Sequence, residues 1–343
     1  MPVTSVLKDP ETLTLTVHAN FPVPVSRLWD AYLDPRQIEK FWGPVEYPAT
    51  FTRHDGAVGG RSNYYMTSPE GEQFHGYWIW NEVVEHKFFE VTDGFAHADG
   101  SVNEDLPATR TVFSFDPLED GSKLTITANF DSVDELEQVV AMGMIDGTRS
   151  AMSQIEQVLI DLRNYAQTFA TEAQLLSDTQ VRVSRIIRGT QEQVWRAHHD
   201  PQLMKRWLLG PDGWQMTECL LPKDVGDSYR YWWEPNSGVE GQGFGFAGVC
   251  LASTPHSFES FTEQMIDTDY PATVNETTFT PVQSGTLLSL VITYPDAQTR
   301  DMVLATGMTD GMEASYARRE SMLRAIRPTI AKRVGANVKH LVS

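Results

Sequence analysis

Aromatic residues recur at a spacing of two in this chain. Ser62, Tyr64 and Met66 fall on one face of an alternating run, and Tyr229, Tyr231 and Trp233 take the matching places in a second run. Trp78 and Trp80 share a face of the run that follows the first, while Trp42 and Trp207 stand near the ends of short helical segments. Such side chains offer large apolar surfaces and, for Tyr and Trp, one polar handle, which suits ring-containing or lipid-like ligands. Taken singly, each also serves as ordinary core. Met142, Met144 and Met308 lie beside glycines in helical stretches, where a flexible thioether can repack around varied shapes.

The groups able to move a proton are Asp146, Tyr64, His75 and Tyr229. Any of them buried among apolar side chains would act as acid or base. Facing outward, Asp146 and its counterpart Asp310 are helix-surface charges. His75, His86, His198 and His199 lack the i,i+4 or Glu-x-x-His spacing of a metal site, and the dipole at a helix end accounts for the pair His198-His199. Gly243-Phe244-Gly245-Phe246-Ala247-Gly248 fits the dinucleotide fingerprint on paper, but it continues into Val249-Cys250-Leu251 as a strand instead of opening a helix. Asn275-Glu276-Thr277 is a glycosylation acceptor only in a secreted chain. No catalytic residue, metal or cofactor is therefore expected.

The elements that hold these residues are read in order. Thr12–Ala19 alternates as a strand buried on one face. Ser26 can cap a helix to Leu33, and Asp34-Pro35 caps and opens another to Phe41. Strands follow at Tyr47–Arg53, Arg61–Thr67, Phe74–Val84, Lys87–Thr92, Thr109–Phe115 and Lys123–Phe130, with short turns that favour antiparallel neighbours. A helix from Ser132 to Tyr165 closes the series, with Leu136, Val139, Val140, Ile155, Val158, Leu159 and Leu162 on its apolar stripe. Gly143 and Gly147 inside it, like Gly307 and Gly311 later, each cost about 1 kcal/mol relative to Ala. Close approach of helix to sheet, or a bend that makes room for a ligand, would explain them.

The series then repeats. Trp29, Ala31 and Asp34-Pro35 return as Trp195, Ala197 and Asp200-Pro201. Pro107-Ala108-Thr109, Phe115, Pro117 and Gly121 return as Pro271-Ala272-Thr273, Phe279, Pro281 and Gly285 at a constant offset of about 164 residues, too long for a solenoid unit. The second copy has its first strand at Val181–Ile187, paired helices at Gln191–His199 and Pro201–Leu209, and a closing helix at Asp301–Ile326. Two α+β domains are expected, at 10–166 and 178–327, with a tail at 328–343. Residues 166–173 have no turn signal and could prolong the first closing helix. The second copy places approximately Ala247 and Val249 where the first has Trp78 and Trp80, so the two interiors should differ.

Composition narrows the partners. A formal charge of -19 repels a phosphate backbone, and the only basic stretch, Lys332, Arg333 and Lys339, is thin, so no nucleic-acid partner is expected. No run approaches the ~20 apolar residues of a membrane span, and the start lacks a secretory signal, which points to the cytoplasm and to no membrane insertion. Cys219 and Cys250 have no metal or redox spacing and read as reduced thiols. A homodimer is compatible with all of this.

Trp29-Asp30-Ala31 with Asp34-Pro35 and Phe41-Trp42-Gly43-Pro44, then Val58-Gly59-Gly60-Arg61, and Gly143-Met144-Ile145-Asp146-Gly147 together resemble the Hsp90-ATPase-activator-like family of the START-like (SRPBCC, Bet v 1-like) superfamily. The resemblance spans both copies. It implies a helix-grip fold, in which a curved antiparallel sheet wraps a C-terminal helix, two short helices close one end, and an apolar cavity takes a small hydrophobic molecule. On that reading Trp42, Tyr64, Met66, Trp78, Trp80 and Met144 line one cavity, and Trp207, Tyr229, Tyr231, Trp233 and Met308 the other. Cyclases, dehydratases and hydrolases of the superfamily offer an enzymatic alternative. Stimulation of Hsp90 is not expected, because the separate N-terminal domain of the stimulating members has no counterpart ahead of the first copy.

Overall fold

Strands form where alternate residues can be buried together: in Thr14–Phe21, Leu15, Val17, Ala19 and Phe21 are buried while Thr14, Thr16 and His18 are only half-buried. The computed structural model describes residues 2–165 and 170–338. The chain divides into two compact units, Met1–Thr168 and Phe169–Ser343. Unit 1 runs β1 (Val3–Asp9), β2 (Thr14–Phe21), α1 (Val25–Leu33), α2 (Pro35–Ile38), β3 (Ala49–His54), β4 (Arg61–Thr67), β5 (Gln73–Val84), β6 (Phe88–Phe95), β7 (Thr109–Leu118), β8 (Gly121–Asn129), α3 (Val133–Ala141) and α4 (Met144–Tyr165). Unit 2 repeats the order as β9 (Glu172–Leu175), β10 (Gln180–Ile187), α5 (Gln191–His199), α6 (Pro201–Trp207), β11 (Trp214–Leu220), β12 (Ser228–Pro235), β13 (Phe244–Thr254), β14 (Phe258–Met265), β15 (Thr273–Val282), β16 (Gly285–Thr293), α7 (Ala297–Ala305) and α8 (Met308–Val338).

Each unit builds one eight-stranded antiparallel sheet, β1-β2-β8-β7-β6-β5-β4-β3 and β9-β10-β16-β15-β14-β13-β12-β11. The closing helix packs on the inner face of its sheet. Met152, Ile155, Val158 and Leu159 of α4 share a core with Val17, Phe51, Trp78 and Phe113, and Tyr316, Met322 and Leu323 of α8 share one with Ile187, Trp233, Phe279 and Leu288. The expected α+β helix-grip architecture is thus present twice. Among the described residues no helix is long and apolar enough to cross a membrane. Cys219 and Cys250 are both buried and free.

The paired short helices are set by their caps. Asp34 accepts the Arg36 amide at the start of α2, and Asp200 accepts those of Gln202 and Leu203 at the start of α6. Thr190 and Gln193 form a capping box on α5. Ser26 does not cap α1, which begins at Val25 after Pro24 with no side-chain cap.

The long closing helix is in fact two helices in each unit. Gly143 and Gly307 take φ of +92° and +79°, a left-handed backbone in which any other residue is strained, and the helical axis breaks there. Close approach to the sheet is not the reason for these glycines. A Cβ on Gly143 or Gly311 would meet nothing within 4 Å, and one on Gly147 would only touch Pro44 Cγ at 3.9 Å.

Two edge strands escape the pattern. β1 carries a bulge between Val3 and Ser5 that spoils its alternation. β9 has only four residues and no β-branched side chain, and it holds its place through backbone pairing with β10. Thr171 and Glu172 are accordingly not helical, and residues 166–169 of the proposed helical connection lie outside the described residues. At the other end, α8 continues to Val338, so residues 328–338 of the expected tail are helical.

Candidate functional site

β4, β5, β6 and β7 present their inner faces to α4, and in unit 1 those faces are filled by rings. Trp78 and Trp80 are 0% exposed. Trp78 has Trp42 at 4.7 Å, Phe113 at 5.6 Å and Trp80 at 5.9 Å between ring centroids, and Phe89 stacks on Phe113 at 4.6 Å. The polar edge of Trp80 is satisfied internally: its Nε1 donates to Ser62 Oγ at 2.9 Å, Ser62 bonds His54 Nδ1, and His54 Nε2 bonds the Tyr32 carbonyl. Trp42, Tyr64, Met66, Trp78 and Trp80 therefore come together, with Trp42 and Met66 only partly buried. Met144 does not join them, for it packs with Leu15, Phe130 and Leu136 in a separate cluster.

At the end of this interior sits Asp93, on the inward face of β6 beyond Phe89 and Val91. Tyr64 Oη donates to its Oδ1 at 3.5 Å. Burial pushes the Asp93 carboxyl up to about 7, although hydrogen bonds from Trp78 and Tyr64 oppose the rise. Such a group stabilises the fold while protonated: its contribution is present below about pH 4 and is lost as pH rises through about 7. The stability gain from Asp93→Asn is thus expected to grow from near zero at about pH 4 to about 4 kcal/mol at about pH 8. Urea denaturation across that range measures it, and a gain that does not change with pH would remove Asp93 as the titrating group.

Strand register maps one interior onto the other. Trp78 lies between Ser62 on β4 and Asp93 on β6, and Gly248 lies between Tyr229 on β12 and the Glu263 position on β14. Gly248 and Cys250, not Ala247 and Val249, thus replace Trp78 and Trp80. The Tyr229 ring covers Gly248, whose Cβ would meet Tyr229 Cε1 at 2.8 Å and the Thr262 carbonyl at 1.7 Å. Tyr229 packs on Tyr231 at 4.8 Å, and Trp233 stacks on Phe244 at 5.3 Å. Trp207 belongs to the same core, whereas Met308 packs with Val181, Val183 and Tyr294 in another. The indoles of Trp207 and Trp233 already donate to the Ala197 and Leu208 carbonyls, at 2.9 Å and 2.8 Å.

Facing those rings, unit 2 carries charge where unit 1 is apolar. By register and helix position, Tyr32, Leu33, Phe89 and Ile155 correspond to His198, His199, Glu259 and Arg319. Glu259 Oε2 accepts from His199 Nε2 at 3.1 Å, and Glu259 Oε1 lies 3.8 Å from His198 Nδ1. Burial lowers the His199 pKa, but the bond to Glu259 and its charge outweigh that and leave it raised. Burial and the Arg319 charge hold His198 well below the ordinary imidazole range. Glu263 is raised by burial, while Tyr229 Oη and Asn275 Nδ2 donate to it, each at 3.2 Å.

Sequence reading missed Asp93, Glu263, Glu259 and Arg319. Their signal is a charged residue at an alternation or stripe position that the pattern reserves for the core. Of the other acid–base candidates, Asp146 is exposed and pairs with Arg149 at 3.7 Å, Asp310 is exposed, and His75 sits on the outer face of β5 against Tyr65. Among the described residues no group of His, Cys, Asp and Glu could hold a metal ion.

The model of a family described as Activator of Hsp90 ATPase homolog 1-like protein matches residues 22–160 and 188–323. Among solved structures, protein Ms6760 from Mycobacterium smegmatis is 46% identical, covering 46% of this chain and 97% of its own, with a TM-score of 0.44. A protein from Arthrobacter aurescens is 38% identical over 46% of this chain and 92% of its own, with a TM-score of 0.45. One from Rhodobacter sphaeroides is 28% identical over 46% and 99%, with a TM-score of 0.43. Among curated proteins no relative matches.

Proposed function

Because the chain belongs to the activator of Hsp90 ATPase homolog 1-like family, as two tandem copies, we propose that it binds a small aromatic or otherwise hydrophobic molecule inside unit 2, with unit 1 serving as a filled scaffold. One observation carries this reading. The positions of Trp78, Trp80, Phe89 and Phe113, which interlock at the centre of unit 1, are held in unit 2 by Gly248, Cys250, Glu259 and Thr277. Rings remain in this core, Tyr231, Trp233, Phe244 and Phe246, with Tyr229 packed on Tyr231, while β14, β15 and α8 bring in the polar Glu259, Thr277 and Arg319, the last over the Trp207 ring. A mostly apolar surface with a few converging polar groups is the makeup of a small-molecule site.

Thr277→Phe tests the proposal by supplying at this position the ring that unit 1 has at Phe113. Affinity for 2-naphthol, measured by calorimetric titration of the whole chain, should fall more than about tenfold, while stability changes by less than about 1 kcal/mol. Unchanged affinity together with an overpacking penalty of about 1–3 kcal/mol would mean that this interior is already full.

The Tyr229–Glu263–Asn275 cluster favours a second reading, an enzyme of the cyclase, dehydratase or hydrolase type with Glu263 as its acid or base. Turnover of a ring-bearing substrate that Glu263→Gln abolishes while binding persists would distinguish it from simple binding.

A further inference from the structure

Arg319 stands on α8 where Ile155 stands on α4, twelve residues after the helix-breaking glycine in each unit. Its side chain is 0% exposed. The guanidinium lies over the rings of Trp207 and Tyr316, each at 4.7 Å, and Nη1 bonds His198 Nε2. A His198 that accepts there carries its own proton on Nδ1, toward Glu259 Oε1 at 3.8 Å. The other two guanidinium nitrogens, Nε and Nη2, have no acceptor among the described residues.

Those two nitrogens form one edge of the planar fork, the edge that meets a carboxylate through two parallel hydrogen bonds. Leaving a complete edge unpaired in the interior costs more than any exposed group would. The nearby carboxylates are engaged elsewhere: Glu259 from β14 by His199, and Glu313 and Glu320 from α8 by Arg185 of β10. Burial lowers the Arg319 pKa to about 10, which still leaves the guanidinium charged at neutral pH.

We propose that the ligand of unit 2 is an aromatic carboxylic acid, its carboxylate seated on the Nε–Nη2 edge of Arg319 and its ring system against Trp207, Tyr231 and Trp233. The proposal rests on the reading of unit 2 as a hydrophobic-ligand site and names the chemical class of that ligand.

The test compares 2-naphthoate with its methyl ester on the whole chain at about pH 7.5, by calorimetric titration. The acid is expected to bind roughly tenfold to a hundredfold more tightly, the range of a charge-assisted hydrogen bond. The Arg319 Nε–H resonance should shift with the acid and stay still with the ester. Arg319→Met should bring the two affinities to within about threefold while ester binding persists. An ester that binds the unaltered protein as well as the acid does would overturn the assignment to Arg319 and leave the hydrophobic site standing. Failure of both probes to bind would overturn both. The comparison on the unaltered protein decides the matter even if Arg319→Met does not fold.

Discussion

Glu259→Ala is expected to destabilise the chain by about 3–5 kcal/mol, the cost of removing one member of a buried charged set. Glu259 is 6% exposed and is the carboxylate on which both His199 and His198 converge. Without it, the half-buried His199 and the fully buried Arg319 lose their opposing charge, and Arg319 cannot recover solvent without opening the interior. The pH dependence has a definite sign. His199 is raised by Glu259, so its contribution is complete below the ordinary imidazole pKa of about 6.5 and is lost as pH rises through the folded value. Equilibrium denaturation between about pH 5 and 8 should therefore show a slope that the variant lacks. Putting unit 1's residues in place, as His198→Tyr, Glu259→Phe and Arg319→Ile together, should recover the lost stability, because an apolar set of similar volume often equals or exceeds a buried charged one. A single Glu259→Ala variant that denatures like the unaltered chain would show that this carboxylate is solvated and not part of a buried set.

Trp78→Ala is expected to cost about 3–5 kcal/mol through the cavity it leaves, and to leave 2-naphthol binding within about twofold. Trp78 touches rings on β6 and β7 and also Trp42 after α2, so its removal opens the centre of unit 1. Denaturation gives the first quantity and calorimetric titration the second. Loss of probe binding in Trp78→Ala with the fold intact would place the ligand in unit 1 and reverse the assignment of scaffold and site.

Much of this architecture is legible in the sequence because it depends on local rules. Asp34-Pro35 and Asp200-Pro201 place their helices, and the constant spacing from Pro107 to Gly121 and from Pro271 to Gly285 fixes two equal sheets. The edge strands are less legible: β9 owes its conformation to β10, and a four-residue segment carries no periodicity of its own. Gly143 and Gly307 mark a break that helix propensity registers only as a cost, because the sign of φ is not a sequence property. The charged interior is the hardest part to read. His198, Glu259 and Arg319 come from α5, β14 and α8, and each taken singly passes for a surface residue. Aligning the copies position by position reveals them, since Tyr32, Phe89 and Ile155 are core. That alignment slips by one residue between Trp78 and Gly248 unless strand register anchors it.

The central claim is that unit 2 holds a small hydrophobic molecule while unit 1 is solid. The nine tryptophans give each interior its own reporters: Trp42, Trp78 and Trp80 in the first, Trp207 and Trp233 in the second. An indole N–H spectrum of isotope-labelled protein titrated with 2-naphthol should show the Trp207 and Trp233 signals moving and those of Trp78 and Trp80 at rest. Movement of Trp78 and Trp80 instead, or no movement at saturating probe, would contradict it.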